Sequence, residues 1–134
     1  QADLTKIVEQ LKAQFPNLKL AYLSSRIYAG YATTELNPEP YAYESAFAVR
    51  GTIYEQIQGS PALSVTGGKA PVLLWGPYLW SDGEKGRQTD NLKYRPADFR
   101  DDGTHPSPTG QQKVADQLLN FFTTNPTAKP WFTN

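Results

Sequence analysis

Apolar positions recur along the chain in two distinct periods, and the alternation between them predicts the element order. Leu4, Ile7, Val8, Leu11 and Phe15 follow helical spacing, with Asp3 where an N-cap or first-turn acid belongs, so residues 3–15 read as an amphipathic helix that Pro16 and Asn17 end. "NLKLAYLSS" then carries Leu18, Leu20, Ala21, Tyr22 and Leu23 in a short apolar run, which predicts a buried strand near 18–24. "RIYAGYATTELNPEPYAY" has no period and is rich in aromatics, Pro and Gly, as a long loop is. A second helix is expected near 43–58, with Phe47, Arg50 or Gly51, Tyr54 and Ile57 on one side and Gly59 and Pro61 after its end. "APVLLWGPY" is a continuous apolar run closed by Gly-Pro and predicts a second strand near 71–75. Residues 80–104 show no convincing element. Ser107 and Pro108 look like an N-cap followed by proline at the first helical position, and Val114, Ala115, Leu118, Leu119 and Phe122 form the stripe of a third helix near 108–123. The tail "PTAKPWFTN" is expected to wrap or fray.

This order is that of an α/β fold, in which parallel strands need a helical crossover of right-handed sense. The two strands are predicted to pair in parallel through the helix near 43–58. Two strands make a poor sheet, so the chain reads as one domain over residues 1–134 that is the C-terminal half of a larger layered domain, its sheet short and flanked by helices. No repeat, low-complexity tract or interior linker divides it.

Composition narrows the classes. Hydrophobic residues make up 39% of the chain, enough for a core. The 13 basic side chains balance 13 acidic ones without a block of like charge, so no electrostatic footprint for nucleic acid or an anionic membrane is present. No run approaches the roughly 18 apolar residues of a membrane span. The absence of cysteine excludes disulfides, thiol nucleophiles and cysteine-ligated zinc. A chain without methionine that starts at Gln1 on a helical pattern is expected to be a processed or truncated piece.

The candidate chemistry lies in "DDGTHPS", beyond a strand end and just before the last helix, where α/β sheets place ligands. Asp102 and His105 are separated by a turn that Gly103 can fold tightly. A carboxylate across that turn can accept from one imidazole nitrogen, fix the tautomer and leave the other nitrogen as a base near neutrality. Against this stands the plainer reading that His105 caps the following helix or fills a loop. Among the serines, Ser24 and Ser25 lie at the predicted C-terminal end of the first strand, where serines mostly satisfy backbone groups. Ser107 is the helix N-cap, and Ser45, Ser60, Ser64 and Ser81 have no supporting context. Arg26 is placed to bind a carboxylate or stack on a sugar, or else to form a surface ion pair. Tyr28, Tyr31, Tyr41, Tyr43, Tyr78 and Trp80 cluster in the same loops, either as a carbohydrate-binding wall or as a cover for the sheet edge. One histidine and scattered acids have no metal-ligand spacing, and "GSPALSVTGGKAP" lacks phosphate-loop spacing, so neither metal nor cofactor is expected.

"DDGTHPSPTGQQKVADQLLNFF" resembles the last block of the SGNH (GDSL-like) hydrolases, in which an Asp-x-x-His pair precedes a C-terminal helix and "HPSPTG" is a habitual continuation. "LSSRIYAGYA", "YAYESAFAVR" and "LLWGPYLWSDG" look like a subgroup with aromatic-rich active-site loops. The resemblance implies a flavodoxin-like three-layer fold and a serine esterase, secreted or periplasmic, in which Asp102 and His105 are the acid and base of a Ser-His-Asp triad. Ser25, Arg26, Tyr28, Tyr41, Tyr78 and Trp80 are then candidate substrate-binding residues, and the aromatic loops favour a carbohydrate ester over a lipid. The family's Gly-Asp-Ser and Gly-x-Asn-Asp blocks are absent, as is the Gly-x-Ser-x-Gly elbow of the other large serine-hydrolase class, so the resemblance implies a serine supplied from an upstream segment. The alternative is an inactive binding or assembly module whose exposed sheet edge pairs with another chain; on either reading an N-terminal segment or a second chain is expected to cover that edge.

Overall fold

A computed structural model of the chain describes residues 1–35 and 41–133; the side chains of Ala42 and Tyr43 fall outside what it describes. The architecture is α/β, and the chain divides into two compact units, residues 1–25 with 44–76 and residues 26–43 with 77–134.

The first unit begins with α1 (Ala2–Gln14). Pro16 follows its end, and the Lys12 ammonium donates to the carbonyls of Pro16 and Leu18, each at 2.8 Å, so the last-turn lysine ties the exit of the helix to the approach of the strand. β1 (Leu20–Leu23) pairs in parallel with β2 (Val72–Trp75), in the register Leu20 to Val72 and Leu23 to Trp75, with α2 (Tyr41–Ile57) between them in sequence. The predicted pairing is therefore present, in a sheet that has only these two strands among the described residues. Val8, Leu63, Ala70 and Leu73 form the buried core, with Ala21, Leu23 and Ile53 packed against it.

The face that α2 buries is not the one its large side chains mark. Val49 and Thr52 are buried and Ile53 packs on the core, whereas Phe47, Tyr54 and Ile57 are exposed. Positions 49, 52, 53 and 56 share one face by helical spacing, and two of them are polar with their needs met internally. Thr52 Oγ1 donates to the Ala48 carbonyl at 2.9 Å. Gln56 Nε2 donates to the carbonyls of Leu63 (3.0 Å) and Pro71 (2.9 Å), while its Oε1 accepts from the Leu73 amide (2.8 Å). One amide side chain thereby satisfies backbone groups on both sides of the turn into β2.

The second unit is built on its own core of Ile27, Tyr94 and Phe99, with Tyr28, Tyr31, Leu79, Leu92 and Val114 around it. The polar stretch with no predicted element contains a 3-10 turn at Pro96–Asp98, a bridge between Asp82 and Lys85 and another between Phe99 and Pro106. α3 (Pro108–Thr124) starts as expected: Ser107 accepts from the Gly110 amide and Pro108 occupies the first turn. The tail forms a single helical turn, α4 (Lys129–Phe132).

Candidate active site

The turn at residues 100–105 is fastened from several sides before its side chains are considered. The Gly103 amide donates to the Arg100 carbonyl and the Arg100 amide to the His105 carbonyl, both at 2.8 Å, so the chain reverses between the 3-10 turn and α3. Gly103 has φ +63°, and a Cβ there would lie 1.9 Å from the Tyr31 carbonyl oxygen, so both conformation and close approach demand glycine. The Thr33 amide donates to the Asp102 carbonyl at 3.3 Å. On the other side the Ser107 amide donates to Asp98 O (2.9 Å), and the Ser107 and Thr109 hydroxyls both donate to Ala97 O (2.8 and 3.1 Å).

Within this frame Asp102 is oriented by its own backbone. Its Oδ1 accepts from the amides of Thr104 (2.8 Å) and His105 (2.9 Å), the Asx geometry in which an aspartate caps the residues that follow it. That leaves Oδ2 to pair with His105 Nδ1 at 2.5 Å. The hydrogen bond from His105, followed by the two backbone amides, holds the Asp102 carboxyl down to about 2, well below the ordinary carboxylate range. The carboxylate is ionised at neutral pH and can only accept, so Nδ1 carries the hydrogen and, in the neutral imidazole, Nε2 presents its lone pair. Nε2 has no hydrogen-bond partner among the described residues. The pair is open to solvent, the His105 side chain 69% exposed and that of Asp102 39%. His105 is thus neither buried nor bonded through both ring nitrogens, as a purely structural histidine would be; the N-cap of α3 is Ser107. Asp101 is exposed.

A second carboxylate, Asp98, braces the entry of α3. Its Oδ2 accepts from the Arg95 amide at 2.7 Å and from Lys113 Nζ at 2.5 Å, and Lys113 also donates to the Lys93 carbonyl at 2.9 Å. Burial pushes the Asp98 carboxyl up, and the hydrogen bonds from Lys113 and the Arg95 amide more than offset it, leaving the group below its ordinary value. Neither Asp98 nor Lys113 stands out in the sequence, because their pairing joins a loop to a helix 15 residues on.

The residues expected to bind substrate divide. Tyr28, Tyr31 and Trp80 come together: the Tyr28 ring lies 4.8 Å edge-on from that of Tyr31 and 5.5 Å from that of Trp80, and Tyr31 continues to Phe99 at 5.6 Å. Tyr28 and Tyr31 pack on the core of the second unit, with Trp80 against Tyr28 and the Tyr31 hydroxyl donating to the Tyr94 carbonyl at 3.0 Å. Tyr78 instead lines a cavity with Arg87 and Asp90 that includes neither Asp102 nor His105. Tyr41 is exposed at the first position of α2. Ser25 is buried at the end of the first unit, and Arg26, half-buried at the start of the second, has its pKa lowered by burial. No group of three or more potential metal-binding side chains occurs among the described residues.

Comparison with protein-family models, with curated proteins and with solved structures finds no match to this chain. The class defined by the fold is accordingly a small α/β protein with a two-stranded parallel sheet and an exposed Asp-His pair at the entry of α3.

Proposed function

We propose that this chain is the C-terminal portion of an SGNH-type serine esterase and that Asp102 and His105 are its orienting acid and general base. The observation that carries the reading is the Asp102 Oδ2 to His105 Nδ1 bond at 2.5 Å, with the other oxygen held by two backbone amides and Nε2 left toward solvent. Nε2 takes the proton of a serine hydroxyl as that oxygen attacks the ester carbonyl, and the resulting imidazolium is stabilised by the ionised Asp102. The same nitrogen then delivers the proton to the leaving alcohol, giving a serine ester that water hydrolyses by the reverse sequence. The serine and the oxyanion donors come from a segment outside these 134 residues. The exposure of the pair supports this division, since a catalytic dyad works best where water is excluded, and an added segment is what would cover it.

The test uses the longer protein encoded in the same reading frame. A Gly-Asp-Ser block upstream, together with labelling of its serine by a fluorophosphonate, supports the reading. Hydrolysis of p-nitrophenyl acetate and of an acetylated sugar should fall by several orders of magnitude in His105→Ala. In Asp102→Asn, KM should be nearly kept while kcat drops by about 10⁴, because the wrong tautomer is favoured. Full turnover in His105→Ala, or robust turnover by the 134-residue chain alone, overturns it.

A further inference from the structure

The second unit carries a cavity of about 490 Å³ between the loop that follows Pro77 and the C-terminal half of α3, within the size range of small-molecule sites. Its chemistry can be read from which polar groups are already committed. Arg87, 15% exposed, uses all five of its N–H donors on the protein itself. Nε and Nη2 grip the two oxygens of Asp90, Nη1 reaches the carbonyls of Tyr78 and Trp80, and Nη2 also meets Gln117 Oε1 at 3.3 Å. Gln117 in turn spends its amide hydrogens on the Tyr94 hydroxyl and the Lys113 carbonyl, both at 3.1 Å. Hydrogen bonding from Arg87 holds the Asp90 carboxyl down to about 2, so the carboxylate is ionised and paired.

Among the described residues that line the cavity, the one guanidinium therefore has no donor left for an anion, and there is no lysine. The only carboxylate among the described residues that line it has its charge answered, which removes the attraction for a cation. What faces the space is uncharged and mixed in sense. The Asn120 side-chain amide makes no hydrogen bond among the described residues, and Asn125, whose Oδ1 caps Thr127, keeps its Nδ2 hydrogens uncommitted among them. The half-exposed Tyr78 ring adds a flat apolar wall, held in place by the Arg87 guanidinium 5.8 Å from its centroid.

We propose that this cavity binds a neutral sugar ring, the hydroxyls meeting Asn120, Asn125 and the remaining lone pairs of Asp90, and the C–H face lying on Tyr78. Such a ligand has no charge to match, several hydroxyls that both donate and accept, and one apolar face, which is the complement of this lining. The inference goes beyond the esterase reading and does not depend on it, since the cavity holds neither Asp102 nor His105.

The test is an amide-shift titration of the full 134-residue chain with methyl β-D-glucopyranoside and methyl β-D-xylopyranoside, with sodium glucuronate and cyclohexanol as the anionic and the poorly hydroxylated comparisons. We expect saturable shifts at Tyr78, Asn120 and Asn125 with a Kd of millimolar order for at least one glycoside, and none at His105. Tyr78→Ala and Asn120→Ala should each weaken binding about tenfold or more while the urea midpoint of the exposed Asn120→Ala stays near wild type; His105→Ala should leave sugar binding unchanged. No shift at tens of millimolar glycoside, binding that survives both substitutions, or equal binding of glucuronate or cyclohexanol overturns the proposal. Because no turnover is read, failure here leaves the esterase reading standing, and the converse holds.

Discussion

Replacing Gly103 by alanine tests whether the Asp-His turn is built by the backbone contacts around it. Two separable costs are involved. The first is conformational: an alanine at φ +63° sits in the left-handed region, at about 1–2 kcal/mol, partly offset by about 0.4–1 kcal/mol from the lower entropy of the unfolded chain. The second is steric. The new Cβ would stand 1.9 Å from the Tyr31 carbonyl oxygen and 2.4 Å from its carbon, so backbone rather than a side-chain tip must move. That movement pulls on the Thr33 amide, whose bond to the Asp102 carbonyl contributes about 1 kcal/mol, and strains the 29–32 turn. The total is about 3 kcal/mol. Gly83→Ala supplies the comparison in the same unit: φ is +56°, but the nearest atoms, at 3.1–3.2 Å, belong to the side chains of Tyr28 and Tyr31 and can shift by a few tenths of an ångström. Urea denaturation of both variants should show Gly103→Ala costing about 2 kcal/mol more than Gly83→Ala, and carbon-detected titration of Asp102 should show its pKa rising as the pair loosens. Equal losses in the two variants, with the Asp102 titration unmoved, would refute the claim that close approach to residue 31 sets the geometry.

Three further outcomes follow from named contacts. His105→Ala should raise the Asp102 pKa from about 2 toward the ordinary carboxylate range without reaching it, because the two backbone amides remain. A depressed carboxyl stabilises the fold above its unfolded pKa and loses that contribution as pH falls through the folded value, so wild type and variant should differ most near neutrality and converge as the pH is lowered from about 4 toward 2. Gln56→Ala removes three hydrogen bonds at the turn into β2 and strands the Leu73 amide, which should cost about 2–3 kcal/mol in urea denaturation, whereas Gln58→Ala, exposed in the turn just after α2, should cost under about 0.5 kcal/mol. Lys113→Met keeps the aliphatic stem but leaves the Asp98 carboxylate, 6% exposed, without its cation; a loss of about 3 kcal/mol is expected, recovered in part by adding Asp98→Asn.

Most of the fold is legible where local signals act without competition. The two strands are short continuous apolar runs, and the start of α3 is marked by Ser107 and Pro108, which do in the structure what those residue types do at any helix entry. α2 shows where such signals fail. Its large apolar residues at 47, 54 and 57 lie exposed, and the face turned to the core includes Thr52 and Gln56, whose polarity hides it from a hydrophobic count. Only the carbonyls of Ala48, Leu63 and Pro71 and the amide of Leu73 make those two residues compatible with that face, and no sequence pattern announces them. The stretch 80–104 is hidden for a related reason. It is ordered by bonds such as Tyr94 N–H to Gly83 O (2.8 Å) and Arg87 N–H to Leu92 O (3.0 Å), and by a left-handed Asn91, rather than by a repeating period.

The candidate site divides along the same line. Asp102, Gly103 and His105 could be picked out because the hydrogen bonds of the Asp102 carboxylate run over at most three residues, whereas the contacts with residues 31 and 33 that fasten the turn carry no local signal. The loop aromatics could not be sorted, because tyrosine and tryptophan are equally suited to filling a core and to facing a ligand; what separates them is a partner elsewhere in the chain. Phe99 and Tyr94 draw Tyr31, and with it Tyr28 and Trp80, into a packed chain of rings, while Arg87 holds Tyr78 at the cavity. Arg87 itself reads in sequence as one basic residue three positions before an acid. Its weight comes from Gln117, 30 residues away on α3, whose Oε1 takes the last of its donors and so leaves the guanidinium no N–H to offer the cavity. The preference for an uncharged ligand that we propose for this cavity would thus be a property of the completed hydrogen-bond network, formed only once the loop and the helix have met.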